Sequence, residues 1–139
     1  MPLMVALMMR DYGVDLYGNA IMVNPDFARA NPKAVAGFVR ATIKGIQDTI
    51  KDPSGAIDSL MRRNEIANRA VELERLQMAL AQNFVTPETL KFGIGAVDMK
   101  RFARSIDQIG LTFEFKARPS AADVFTAEYL PPLAQRQAK

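Results

Sequence analysis

Four times in its first 87 residues the chain sets a capping side chain directly before a proline: Asn24-Pro25, Asn31-Pro32, Asp52-Pro53 and Thr86-Pro87. Proline at the first helical position forfeits nothing, because that N–H has no intrahelical acceptor. The preceding Asn, Asp or Thr can accept from the next free N–H groups. Four helix starts are therefore written into the sequence. The first predicts a short turn of helix over Pro25 to Ala30. The second predicts a long helix over Pro32 to Lys51, with Val35, Phe38, Val39, Ile43, Ile46 and Ile50 on one stripe. Gly37 and Gly45 each weaken that helix by about 1 kcal/mol relative to Ala. The third predicts Pro53 to Arg63, with Ile57, Leu60 and Met61 inward. The fourth predicts a short helix closed by Gly93. A further helix is expected over Ile66 to Asn83, with Ala70, Leu73, Leu76, Leu80 and Phe84 near one side. Asp98 caps Met99 to Ile109, with Met99, Phe102, Ile106 and Ile109 inward, and Ser120 caps Ala121 to Thr126.

Two segments read as strands, Leu3 to Met9 and Ala20 to Asn24. Two strands make a poor sheet by themselves. Either they form a small ribbon, or they belong to a sheet whose other members lie elsewhere. The expected class is mainly α with a short β element. At 139 residues the chain is expected to form one domain over residues 1–139. The polar tail, residues 135–139, is expected to fray.

Composition removes several functions. The chain has no Cys and no His. Thiol nucleophiles, disulfides, imidazole bases and the usual zinc sites are absent with them. Neither a metal nor a cofactor is expected, nor is an enzyme. The net charge of +3 is spread along the chain. No Lys/Arg cluster is interleaved with aromatics, so nucleic acid is not an expected partner. No run approaches the length of a membrane span. Met1 to Met9 is apolar, but it lacks the ordered basic start, apolar centre and small-residue cleavage site of a signal peptide.

The stretch DYGVDLYGNAIMVNP, Asp11 to Pro25, concentrates polar turn residues before the apolar Ala20 to Val23. It reads as a loop feeding a strand, a place where ligands are often met. Tyr12, Tyr17 and Asn19 are the ligand-contact candidates. Tyrosine can stack on a heteroaromatic ring and offers a hydroxyl, and Asn offers both donor and acceptor. The plainer reading has the tyrosines packing a hinge and Asn19 bonding local backbone. Asp11 and Asp15 form a possible carboxylate pair, but no His or Lys stands near them to complete acid–base chemistry.

DYGVDLYGNAIMVN, with the following NPDFARANPKAVAGFVRATIKGIQDTIKDPSGAID, resembles the ABC-transporter solute-binding proteins of the nitrate, taurine, alkanesulfonate and thiamine-precursor group. ELERLQMALAQNFVTPET, GIGAVDMKRFARSIDQIGL and ADVFTAEYLPP resemble its C-terminal region in the same order. The resemblance runs from about Asp11 to about Leu133. It implies a C-terminal portion of a two-lobed α/β protein, the type II periplasmic binding protein-like fold, with the N-terminal lobe absent. It implies a solute-binding component of an ABC uptake system that takes a small anion, a sulfonate or a pyrimidine-type thiamine precursor. The partners implied are that ligand and, for a full-length protein, an ABC permease. The location implied is periplasmic, although this chain carries no export signal. Helix faces that would pack on a missing lobe lead to the expectation of a homo-oligomer. Two alternatives stand beside it: a self-associating structural module, and a thiamine-pyrimidine synthase-like enzyme. The enzyme is disfavoured because its family chemistry relies on His and Cys.

Overall fold

The structure, a computed structural model, describes residues 7–139. Seven α-helices run through them: α1 (Pro25–Ala30), α2 (Pro32–Lys51), α3 (Pro53–Met61), α4 (Arg69–Ala79), α5 (Pro87–Phe92), α6 (Met99–Ile109) and α7 (Ala121–Val124). Short 3₁₀ turns cover Met9–Tyr12 and Leu133–Gln135, and a π-helical turn, Leu80–Phe84, continues α4.

The expected β element is not found among the described residues. Ala20 to Asn24 forms no ladder, and leads instead into the cap of α1. Of the other expected strand, Leu3 to Met9, residues 3–6 lie outside the described residues. Met9 opens the 3₁₀ turn, which Gly13 closes at φ 87. Strand propensity is expressed only where a neighbouring strand satisfies the backbone, and none of the described residues supplies one.

The proline punctuation is realised, with one change. Asn24 accepts from the N–H groups of Asp26 and Phe27, Asp52 from Gly55, and Thr86 forms a reciprocal box with Thr89. Asn31 makes no cap. Its side-chain amide donates to the Phe27 carbonyl at 3.2 Å and so closes α1 instead. Helix α4 begins at Arg69, three residues later than expected, because Asn68 accepts from the N–H groups of Ala70 and Val71.

The described residues divide into two compact units. One comprises Met22–Ala96 with Ala127–Lys139. Its core gathers Ile43, Ile94 and Ala138, with Val39, Ile46, Ile50 and Leu130 packed against them. Ile57 and Leu80 are also buried. Phe38, expected inward, is 61% exposed, and Leu60 is on the surface too. The stripe on α2 is therefore covered along Val35, Val39, Ile43, Ile46 and Ile50 and left open at Phe38. Arg69 spans from α4 to α3, pairing with Asp58 at 2.8 Å and donating to the Ser54 hydroxyl.

The tail expected to fray is tied down. Ile94 N–H donates to the Arg136 carbonyl at 2.7 Å, and the Gln47 amide donates to the Gln137 carbonyl at 2.9 Å. Ala138 is buried against Ile43 and Ile94. A polar composition permitted fraying, but a small apolar residue and backbone acceptors at the right spacing hold the segment.

The other unit comprises residues 7–21 and Val97–Thr126. It holds the Met9–Tyr12 turn, α6 and α7. Helix 6 buries Ser105 and Ile106, whereas Met99 and Ile109, expected inward, lie at the surface with 42% and 36% exposure.

Candidate functional site

Helix 6 starts where the sequence says it should. The Asp98 carboxylate accepts from the N–H groups of Lys100 at 2.8 Å and Arg101 at 3.1 Å. Those two bonds, the Arg101 one foremost, hold its pKa below the ordinary aspartate value, and the charges of Arg104 and Lys100 add to the effect. One face of the helix then carries Asp98, Arg101, Ser105 and Gln108, three or four residues apart and so in line.

The segment from Gly13 to Tyr17 lies along that face. Gln108 donates its side-chain amide to the Gly13 carbonyl at 2.6 Å. Ser105 donates its hydroxyl to the Asp15 carbonyl at 3.3 Å. Arg101 pairs with the Asp15 carboxylate at 2.6 Å. The backbone N–H of Asp98 donates to the Tyr17 hydroxyl at 2.8 Å. Every second residue of the segment, 13, 15 and 17, thus meets the helix. The two run antiparallel, so the start of the segment meets the end of α6. The Arg101 guanidinium also lies over the Tyr17 ring, 4.3 Å from its centroid, and Phe102 meets that ring edge-on at 5.8 Å. Phe125 continues the aromatic row from Phe102 at 6.1 Å.

The three candidate residues are placed differently. Tyr17 is half-buried, and its hydroxyl and one ring face are already engaged within the chain. Tyr12 is 69% exposed at the end of the 3₁₀ turn, and Asn19 is exposed two residues beyond Tyr17. The two carboxylates do not act as a pair: Asp15 is held by Arg101, and Asp11 lies 3.7 Å from Arg10. Near the C-terminal end of α6, Ile106, Leu111, Phe113 and Phe115 line an open groove of about 480 Å³. An Asp107–Arg118 ion pair forms part of its wall.

In the sequence Asp98 reads only as a cap, and nothing local to Arg101, Ser105 or Gln108 points to the segment. These residues stand 81 to 95 positions from their partners. The available signal was a polar residue, Ser105, beside Ile106 on a face otherwise expected to be apolar. No group of three or more His, Cys, Asp or Glu side chains that could hold a metal ion occurs among the described residues. Among them, too, no helix is long and apolar enough to cross a membrane.

Residues 3–56 match the family described as NMT1/THI5 like, a span that contains Tyr12, Tyr17 and Asn19. The chain is also similar to "Riboflavin-binding protein RibY" of Chloroflexus aurantiacus, with 26% identity over 122 residues. That alignment covers 84% of this chain and 34% of the relative, so the chain spans about a third of the length of the curated protein it matches. No solved structure matches the chain. Both likenesses are partial, the first ending at residue 56 and the second covering a third of the relative, and neither distinguishes the nitrate, taurine, alkanesulfonate or thiamine-precursor group. The relative's printed name is that of a binding protein.

Proposed function

We propose that the chain is part of the solute-binding component of an ABC uptake system, working outside the cytoplasm and delivering its ligand to a permease. The carrying observation is the family match over residues 3–56, which holds the Asp11–Asn19 segment and its exposed Tyr12. On this reading residues 1–139 are one partial solute-binding domain. The proposed ligand is a planar nitrogen heteroaromatic. The relative's name specifies riboflavin, and a pyrimidine-type thiamine precursor shares that ring chemistry. Tyr12 would stack on the ring, and Asn19 would read its polar edge. Tyr17, held by Arg101, Phe102 and the Asp98 N–H, would border the ligand. Small anions and sulfonates are the competing ligands.

A thermal-shift panel of riboflavin, an aminopyrimidine alcohol, taurine and nitrate tests this. A ligand present at 100 times its Kd adds about 2.7 kcal/mol to stability by mass action. A rise in melting temperature with riboflavin or the pyrimidine supports the proposal. A rise with taurine or nitrate alone moves the ligand to the anion class, and no rise with any of them removes solute binding by this chain.

Self-association is a second reading, favoured by the exposed surface. Among the described residues no side chain is less than 2% exposed, while Phe27, Phe38, Leu111 and Phe113 are more than half exposed. Light scattering that gives the mass of one 15.4 kDa chain would exclude a homo-oligomer.

A further inference from the structure

We infer that Arg101 is the positioning residue of the Asp11–Asn19 segment: it acts through Asp15 and Tyr17 and presents Tyr12 and Asn19 to a planar heteroaromatic ligand without touching that ligand itself. The role in binding rests on the reading above; the positioning itself does not.

Three observations meet at this one side chain. Its guanidinium pairs with the Asp15 carboxylate at 2.6 Å, lies 4.3 Å from the Tyr17 ring centroid, and is rooted one turn into α6, where its own backbone N–H is held by the Asp98 cap. Its side chain is only 24% exposed. A planar cation can satisfy a carboxylate along its edge while stacking on a ring through its face, whereas an ammonium cannot do both with the same geometry. Arg101 therefore fixes two alternate residues of the segment at once. On one side of them stands Tyr12 and on the other Asn19, both exposed. The contacts of Gln108 and Ser105 reach backbone carbonyls and so carry no information about which side chain is held. Arg101, the Tyr17 hydroxyl bond and the edge contact of Phe102 on the Tyr17 ring are the contacts that select side chains, and of these Arg101 alone holds two residues of the segment. A site that must hold a rigid aromatic ligand gains affinity when its contact residues are ordered beforehand. The residue that orders them lies outside the span matched by the family, which ends at residue 56.

The test uses the full chain with Arg101→Ala, Arg101→Lys and Asp15→Asn, read by amide hydrogen exchange and by riboflavin titration. Arg101→Ala is expected to speed exchange at residues 14–19 at least tenfold, with the amides of α2 to α4 unchanged. Arg101→Lys, which keeps the charge pair and loses the planar stack, is expected to fall between Ala and wild type, and Asp15→Asn to reproduce part of the effect. Riboflavin affinity is expected to fall at least fivefold in Arg101→Ala at an unchanged melting temperature. Unchanged exchange over residues 14–19 in both Arg101→Ala and Asp15→Asn would overturn the proposal. So would faster exchange spread evenly over the whole of α6, which would make Arg101 a general fold residue. A wild-type chain that binds no riboflavin refutes the ligand role, while the exchange result still decides the positioning.

Discussion

The Tyr17 hydroxyl accepts the backbone N–H of Asp98 across 2.8 Å, joining residues 81 positions apart in the chain. That N–H precedes the first turn of α6, where no helical acceptor exists for it. Tyr17→Phe keeps the ring under Arg101 and removes only the acceptor. The expected cost is about 1 kcal/mol, the usual net worth of one hydrogen bond. Amide exchange at Asp98 checks it: the Phe variant should exchange about fivefold faster there. Equal rates would mean that water replaces the hydroxyl without loss.

Acid should loosen the same end of α6. The native pKa of Asp98 is lowered by its bonds to the Arg101 and Lys100 N–H groups, and that of Asp123 by the Ser120 hydroxyl and N–H. A lowered native pKa contributes stability in full above the ordinary aspartate range, near pH 4, and that contribution is lost as pH falls toward the native value. Asn keeps a capping oxygen but does not titrate. Asp98→Asn should therefore flatten the acid limb of the stability curve below about pH 4 and lower stability at neutral pH, where the carboxylate's contribution is complete. An unaltered acid limb in both Asp98→Asn and Asp123→Asn would place the acid sensitivity elsewhere.

Two glycines should respond to alanine with opposite signs. Gly93 sits at φ 81 and ψ 160, and an added Cβ would come within 2.7 Å of Arg136 Nη1 and 2.9 Å of Leu133 Cδ1. That backbone region is essentially reserved for glycine, and Gly93→Ala should cost about 1–3 kcal/mol. Gly45 lies within α2 with open space where a Cβ would stand. Gly45→Ala should add about 0.5–1 kcal/mol. Denaturant midpoints of the two variants give the comparison, and a stabilising Gly93→Ala would contradict the packing of Arg136 against it.

The C-terminal segment should prove structural. Ala138 is 3% exposed beside Ile43 and Ile94. Ala138→Glu places an unpaired charge there, and Ile43→Ala leaves a cavity worth about 2–5 kcal/mol. Both should lower the melting temperature and make residues 135–139 sensitive to carboxypeptidase, whereas Lys139→Glu should do neither. A tail equally resistant in all three variants would show that the Gln47 and Ile94 hydrogen bonds suffice to hold it.

Helix starts were legible because capping is local: Asn24, Asp52, Thr86, Asp98 and Ser120 each accept from N–H groups two or three residues ahead. Helix faces were legible only in part. Phe38 and Met99 fit their stripes by spacing, yet both are exposed, because periodicity shows which residues share a face and not how much of it is covered. The reading of Ala20 to Asn24 as a strand failed for a related reason: it has strand composition but no strand beside it among the described residues. At the site, Tyr12, Tyr17 and Asn19 stood out by residue type. Which of them is held and which is exposed depends on Arg101 and Asp98, far along the chain. Local pattern carries no information about such a pairing.

The most direct measurement is a titration of riboflavin with the wild-type chain and with Tyr12→Ala, followed by flavin fluorescence. Tyr12 is exposed and sits beside, not among, the contacts with α6, so its removal leaves the segment in place. The account predicts saturable quenching with the wild-type chain and affinity at least tenfold weaker in Tyr12→Ala, about 1.4 kcal/mol of lost stacking. No saturable change up to the solubility limit of riboflavin, or equal affinity in the two proteins, would contradict it.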